Sequence, residues 1–420
     1  MSTAWKDHHK PECQRLKRVF PNLPMSEVLF LGRVIDRLEF IRKFGDVGNW
    51  QKDRKFEQLI THAEEIRKDG EKMRMLEKLL AKLKTYMGEN KPDLLKNDQE
   101  IFELVCRTWI NSHSIHTNAG VELGMALDLG VSYYDHSCRP NLTLVFDGFR
   151  AMLRPLTPKV DANDHKNSFI AYVDVGRSKY QRRMELQSKW FFWCCCERCM
   201  DPEDDRLTSL KCQNKSCKEC IITTEDCEPE DLKCSKCDAL LTKDKVAEAQ
   251  QFMKSLPSRY SPEVTKEQTE ELGRHLEKAR EILHEENIYY CRMQTAYLQM
   301  CGQNDQHFVN PELQKMVYEN YRRCLPKADR HVGYQLLHLV KALIESGRRS
   351  EAVQYAYEAM IIFEICFGLQ HPYYLQTLAL WTFLDKKEPK SDVQLLELMN
   401  FNYNRPIDIS PYLEKAMSVI

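Results

Sequence analysis

The residues of this 420-residue chain best equipped for chemistry are its seventeen cysteines, ten of which lie between Cys194 and Cys237. "WFFWCCCERCMD" (190–201) presents Cys194, Cys196 and Cys199 as a C-x-C-x-x-C set. Three thiolates this close can grip one face of a tetrahedral zinc, and the fourth ligand must come from elsewhere. Cys138, in "SYYDHSCRPN" (132–141), is the natural candidate, because it follows a strand-like run and Pro140 would stiffen its turn. Cys195 falls between ligands and should point away. A second set reads "LKCQNKSCKEC…LKCSKC". Cys212 and Cys217 form one knuckle, and Cys234 and Cys237 form the other. Cys220 competes with Cys217, since Cys217-x-x-Cys220 has the better knuckle spacing. An all-cysteine site leaves no open coordination position and is structural.

His136-Ser137-Cys138 also invites a nucleophile reading. A catalytic thiolate needs a free cysteine, and Cys138 is better used as a ligand. His9 and Cys13 look like the last half of a further metal knuckle, but no cysteine precedes Cys13, so this end alone builds no complete site.

Around these residues the chain changes character several times. From Met25 to about Met87 apolar residues recur at helical steps: Val28, Leu31, Ile35 and Leu38, then Phe56, Leu59, Ala63 and Ile66, then Leu76, Leu80 and Leu83. "NKPD" (90–93) breaks the pattern, and another helix is expected near 99–111. "NLTLVFDGFRAMLRPL" (141–156) reads as a hairpin turning at Asp147-Gly148, and "SFIAYVDV" (168–175) as a further strand. Beyond about Lys245 the pattern is paired amphipathic helices. The clearest pair sets Leu336, Leu339, Val340 and Leu343 against Ala352, Tyr355, Ala356 and Ala359, with Gly347 ending the first helix. This pair resembles a tetratricopeptide hairpin, and the segment reads as helical-repeat-like. Cys106, Cys291, Cys301, Cys324 and Cys366 fall in helical patterns and read as small buried hydrophobes.

Bulk composition excludes several classes. Net charge is −1 with 29% charged and 43% hydrophobic residues, so direct nucleic-acid binding is not expected. No apolar run approaches the roughly 20 residues of a membrane span, and the first residues hold no signal-peptide core. The expected setting is intracellular, cytoplasmic and/or nuclear, where dense cysteine clusters mean zinc rather than disulfides.

Taken together, the residues resemble the SET-and-MYND-domain family of protein lysine methyltransferases. Trp5, His9 and Cys13 are similar to the end of a MYND zinc finger, and "DHSCRPN" to the family's asparagine-histidine-serine-cysteine-x-proline-asparagine motif. "IAYVD" followed by "WFFWCCCERC" resembles the SET tyrosine strand and the post-SET cysteines. The C-terminal helices, with "FGLQHP" (367–372), resemble the family's tetratricopeptide-like domain. The resemblance implies an α+β fold: a partial SET β-fold with a helical insert and post-SET zinc site, a zinc-ribbon-like insert and an all-α tetratricopeptide-like C-terminal domain. The implied boundaries are a MYND remnant at 1–24, helical SET insert 25–120, core SET segment 121–178, post-SET zinc region 179–204, zinc-ribbon-like insert 205–244 and helical domain 245–420.

It also implies S-adenosylmethionine as cofactor beside zinc. Asp135 and His136 would lie against its adenosyl or methionyl part, Asn111 would contact it from the helical insert, and Phe192 would stack on adenine. Tyr172 would border the lysine channel and polarise the amine. The substrate would be a lysine-containing protein or histone tail, and the C-terminal helices would bind protein partners. There are departures. The family's N-terminal half of the SET fold, with its cofactor loop, precedes the finger, so the sequence reads as N-terminally truncated. Asp135 replaces asparagine, "HKN" (165–167) replaces a glycine-glutamate-glutamate turn, and His113 stands where the family has a channel-lining phenylalanine. These favour, as the alternative, a non-catalytic zinc-braced scaffold that binds proteins through its helices.

Overall fold

The computed structural model describes residues 9–45, 54–88, 97–116, 122–147, 150–257, 260, 265–304, 308–385 and 391–399. Trp5, the break at 90–93 and the turn residue Gly148 lie outside the described residues. The fold is mixed and helix-rich, with small two-stranded sheets, two four-cysteine clusters and a helical C-terminal region. Contacts divide the chain into two compact units.

The first unit takes in the described residues of Met1–Tyr134, Phe146–Ala151 and Gln187–Phe192. Its helices are α1 (Lys10–Val19), α2 (Ser26–Phe44), α3 (Ala63–Lys68), α4 (Gly70–Met87) and α5 (Asp98–Asn111). The helical period places Val28, Leu31, Ile35 and Leu38 of α2 in one core with Ala63, Ile66, Leu76, Leu83 and the apolar face of α5. The expected continuous helical pattern is interrupted: Phe56–Gln58 is a single 3₁₀ turn, and His62 takes a left-handed φ of 48° just before α3. Asp69 caps α4 by accepting from the amides of Glu71 and Lys72, and Asn97 caps α5 in the same way. Helix α1, which carries Cys13, is fastened to α2 by paired ions: Arg15 donates to both Asp36 oxygens at 2.7 Å, and Arg33 to Glu12. Strands β1 (His113–His116) and β2 (Glu122–Ala126) pair antiparallel, with His113 opposite Ala126.

The second unit takes in Asp135–Val145, Met152–Leu186 and the described residues from Trp193 on. Strand β3 (Asp135–His136) is followed by the expected hairpin, β4 (Leu142–Asp147) and β5 (Arg150–Pro155), and then by β6 (Phe169–Ile170). Strand β6 is shorter than the run 168–175 suggested. It pairs parallel with β3, Asp135 opposite Phe169 and His136 opposite Ile170. The ladder stops there because the next available amide, that of Tyr172, donates to the His136 side chain instead of to a strand. Helices α6 (Lys179–Trp190) and α7 (Glu197–Met200) follow.

Residues 210–241 form two antiparallel pairs, β7 (Leu210–Lys211) with β8 (Cys220–Ile221) and β9 (Leu232–Lys233) with β10 (Leu240–Leu241). Their inward residues Leu210, Ile221 and Leu241 join a core with α8 (Lys243–Ser255), α9 (Lys266–Ile282) and α10 (Ile288–Asn304). A second core is built by α11 (Pro311–Cys324), α12 (Arg330–Glu345), α13 (Arg349–Phe367), α14 (Pro372–Asp385) and α15 (Asp392–Glu397). Of the expected facing stripes, Leu336, Leu339, Val340, Leu343, Ala352, Ala356 and Ala359 are buried, and Tyr355 is half-buried against the same core. Gly347, at φ 72°, closes α12 with a Schellman motif, in which the amides of Gly347 and Arg348 donate to Ile344 and Leu343 carbonyls. Val145 and Leu156 of the hairpin enter this core, and Arg154 and Arg330 donate to the carbonyls of Ile365 and Leu144. Among the described residues, no helix is long and apolar enough to cross a membrane.

Candidate metal centres and cofactor-binding residues

Strand β3 ends at His136, and the chain turns through Cys138 and the buried Pro140. The Asn141 side chain holds that turn: its Oδ1 accepts from the Phe169 amide at 2.7 Å, and its Nδ2 donates to the Asn167 carbonyl at 2.7 Å. The final asparagine of the motif thus copies a strand partner on both sides. Cys138 is fully buried and meets Cys194, Cys196 and Cys199, with all four sulfurs within 4.8 Å of one another. Cys138 Sγ is 4.0 Å from Cys194 Sγ and 3.6 Å from Cys199 Sγ. Metal–sulfur bonds of about 2.3 Å in a tetrahedron require sulfurs about 3.8 Å apart, so the spacing fits zinc. All seventeen cysteines are free thiols. Cys195 is exposed and turns toward the Trp193 carbonyl, as its place between ligands predicted.

The thiols of this cluster polarise one another. Cys138, hydrogen-bonded foremost to Cys194, keeps its proton, while hydrogen bonding from Cys138 holds Cys196 far below the ordinary thiol range and Cys199 at about 6.

The second cluster joins Cys212, Cys217, Cys234 and Cys237. Cys212 and Cys237 sulfurs are 3.5 Å apart, and those of Cys217 and Cys234 are 3.8 Å apart. The Asn214 carbonyl accepts from the Cys217 amide, and Asp238, at φ 54°, closes the other knuckle. Backbone donation from Lys236 brings Cys234 down to about 7. Cys220 stands apart, with its sulfur near Glu219 Oε1. Both clusters could hold a metal ion. Among the described residues, His9 and Cys13 join no such group.

The residues assigned to a cofactor divide between the units. Asp135, His136 and Tyr172 belong to the second. Asp135 is exposed, whereas His136 is buried with both ring nitrogens engaged: Nδ1 accepts from the Tyr172 amide at 3.0 Å, and Nε2 lies 3.2 Å from Cys138 Sγ. That tautomer puts the proton on Nε2, facing the sulfur. Burial pushes the imidazole down to about 4, so it is neutral at pH 7. The Tyr172 ring is half-buried, 5.5 Å from the His136 ring. Asn111 and Phe192 belong to the first unit. Asn111 closes α5 and donates through Nδ2 to the carbonyls of Arg107 and Ile60, leaving Oδ1 as an acceptor. Trp190 donates to the Ile110 carbonyl, Phe191 takes a left-handed φ of 59° against His62, and Phe192 follows half-buried. His113 is pushed down to about 4 by burial.

Sequence reasoning missed Arg182, Arg198 and Asp204. All three are buried around the first cluster, with Asp204 accepting from both arginines. The one available signal was Arg182 lying four residues before buried Leu186, on the inward face of α6.

The fold and site thus define a helix-rich protein with two potential tetrathiolate centres, the first built from a His-Ser-Cys-x-Pro-Asn turn and a three-cysteine segment. No family model matches the chain. It is 31% identical over 209 residues to human histone-lysine N-methyltransferase SMYD3, 49% of this chain and 46% of that protein. It is 25% identical over 392 residues to histone-lysine N-methyltransferase ASHR1 of Arabidopsis thaliana, 88% of this chain and 78% of that protein. It is 21% identical over 373 residues to N-lysine methyltransferase SMYD2-B of Danio rerio, 87% of this chain and 78% of that protein. The chain spans about half the length of the human SMYD3 it matches. Over most of its length it is a homologue of the SET-and-MYND-domain lysine methyltransferases.

Proposed function

We propose that the chain carries the architecture of an S-adenosylmethionine-dependent protein-lysine N-methyltransferase acting on histone or non-histone lysines inside the cell. The observation that carries this reading is the first cluster. It joins the "DHSCRPN" turn to the post-SET-like cysteines, beside His136 and Tyr172, in a chain homologous to lysine methyltransferases. The finer fold, a partial SET segment followed by zinc-ribbon-like and tetratricopeptide-like regions, belongs to the same proposal.

The cofactor supplies an electrophilic methyl group on a sulfonium. Its amino, ribose and adenine N–H and O–H groups need acceptors and an aromatic face. Asn111 Oδ1, the exposed Asp135 carboxylate and half-buried Phe192 are groups of those kinds. His136, fixed by the Tyr172 amide and neutral, would hold the turn carrying Asp135 in place. Tyr172 would orient the neutral lysine amine; such a transfer depends on alignment and polar positioning, with no covalent enzyme intermediate. Zinc in both clusters would be structural.

The second reading is a non-catalytic scaffold with a partner-binding helical region, and Asp135 in place of the family's asparagine favours it. The deciding experiment supplies labelled S-adenosylmethionine and lysine-rich protein substrates to the zinc-loaded chain. The proposal expects label on lysine, lost in Tyr172→Phe; zinc-loaded, folded protein that transfers no label supports the scaffold.

A further inference from the structure

Arg182 has no exposed surface, Arg198 is 5% exposed and Asp204 7%. Arg182 Nη2 donates to Asp204 Oδ2, and Arg198 Nε to Asp204 Oδ1 at 2.8 Å. Two guanidinium cations therefore share one carboxylate in the interior, leaving one buried positive charge uncompensated. Such a surplus is costly unless an anion lies beside it. Among the neighbouring cations, Arg177 pairs with Glu185 and Lys179 with Asp205, while the half-buried Arg183 donates to the carbonyls of Cys194 and Cys199. What Arg182 does meet is the first cysteine cluster. Its Nη2 also points at Cys199 Sγ, 3.8 Å away. Arg198 Nη1 donates to the carbonyls of Cys138 and Val175 at 3.2 and 2.8 Å. Arg182 Nε and Arg198 Nη2 are buried without a hydrogen-bond partner.

The opposite imbalance exists at the cluster. Four thiolates around a dication carry two net negative charges, mostly away from water: Cys138, Cys194 and Cys199 are at most 3% exposed. The second cluster has no comparable buried guanidinium hydrogen-bonded to its sulfurs among the described residues.

We propose that Arg182 is a built-in counter-ion and positioning residue of the first metal centre, oriented by Asp204. In this arrangement Arg198, held by the same carboxylate, ties the three-cysteine segment to the Cys138 turn by donating to the Cys138 carbonyl. The two centres then differ in kind: metal in the first is held by thiolates and an internal cation, metal in the second by thiolates alone. The proposal rests on the metal-centre reading of Cys138, Cys194, Cys196 and Cys199, and it is independent of methyl transfer.

The test follows zinc release from the full chain to a chromophoric chelator, in wild type, Arg182→Met and Arg182→Lys. Arg182→Met should speed release of one zinc per chain by roughly 10–100-fold, the usual reach of a metal's outer shell. The other zinc should leave at its wild-type rate, and Arg182→Lys, which keeps the charge, should recover part of the loss. In the cobalt-loaded chain, Arg182→Met should move a sulfur-to-cobalt charge-transfer band to longer wavelength, because removing a cation makes the thiolate easier to oxidise. If Arg182→Met does not fold, Asp204→Asn replaces it and should speed release of the same zinc. Unchanged release with an unchanged cobalt band overturns the proposal, as does equal acceleration at both centres. A wild-type chain that binds no metal would overturn the metal-centre reading beneath it.

Discussion

At the scale of single residues, the account turns on which sulfurs bind metal. Cys196→Ser removes one ligand of the first cluster and should lower the metal content by one ion per chain while the second cluster keeps its own. Unchanged content by elemental mass spectrometry would contradict the assignment. Cys217→Ser should likewise cost the second ion, whereas Cys220→Ser should cost none, because the Cys220 sulfur sits by Glu219 rather than in the cluster. His113 offers a pH test. Its buried Nε2 has no hydrogen-bond partner, and its pKa falls from 6.5 to about 4 on folding. A depressed histidine favours the folded state when neutral. Its stabilisation is thus complete above about pH 6.5 and is lost as the pH falls toward 4, by roughly 3 kcal/mol at most. Denaturant titrations of His113→Phe across that window should show a shallower acid loss than wild type.

At the scale of elements, two glycines of the helical region separate conformation from space. Gly347 ends α12 at φ 72° with nothing within 4 Å of an added Cβ. Gly347→Ala should therefore cost about 1 kcal/mol from backbone strain alone. Gly333 is helical, but a Cβ there would stand 2.6 Å from Phe363 Cε1 and 3.1 Å from Ile362 Cγ2. Gly333→Ala should cost about 1–3 kcal/mol by overpacking, despite alanine's better helix propensity. Urea unfolding of the two variants would check both values. Elements also show what the sequence made legible. Helix faces were readable because burial repeats with the helix: Leu336, Leu339, Val340 and Leu343 are all at most 2% exposed. The three-cysteine segment was readable because chelation demands close spacing. Strand 168–175 was overread, because a side-chain nitrogen of His136 takes an amide that pattern alone assigns to a ladder. The choice of Cys217 over Cys220 depends on strand β8, two residues long, which no period reveals. Of the Arg182–Asp204–Arg198 group only the spacing of Arg182 from Leu186 was legible, since charges on a helix or loop ordinarily face water and tertiary proximity brings these inside.

At the scale of the whole molecule, metal in the two clusters would brace the segments of the second unit that carry them. Residues 210–241 contribute four two-residue strands and only a few apolar side chains to the core shared with α8, α9 and α10, so a metal in the second cluster would hold the rest of the segment in place. Chelation should raise hydrogen exchange across 210–241 and around 138–141 and 194–204. The amides of α5, whose buried apolar face includes Ile101, Leu104, Val105 and Ile110, should keep their protection. Equal loss in all these segments would contradict local metal bracing.

The central claim is that this homologue of lysine methyltransferases binds their cofactor. Its most direct test is a calorimetric titration of S-adenosylmethionine into the zinc-loaded chain, repeated with Phe192→Ala. The account predicts saturable binding with Kd in the micromolar range, on the order of −8 kcal/mol, weakened in the variant. No heat from folded, zinc-loaded protein would contradict it and leave the scaffold reading.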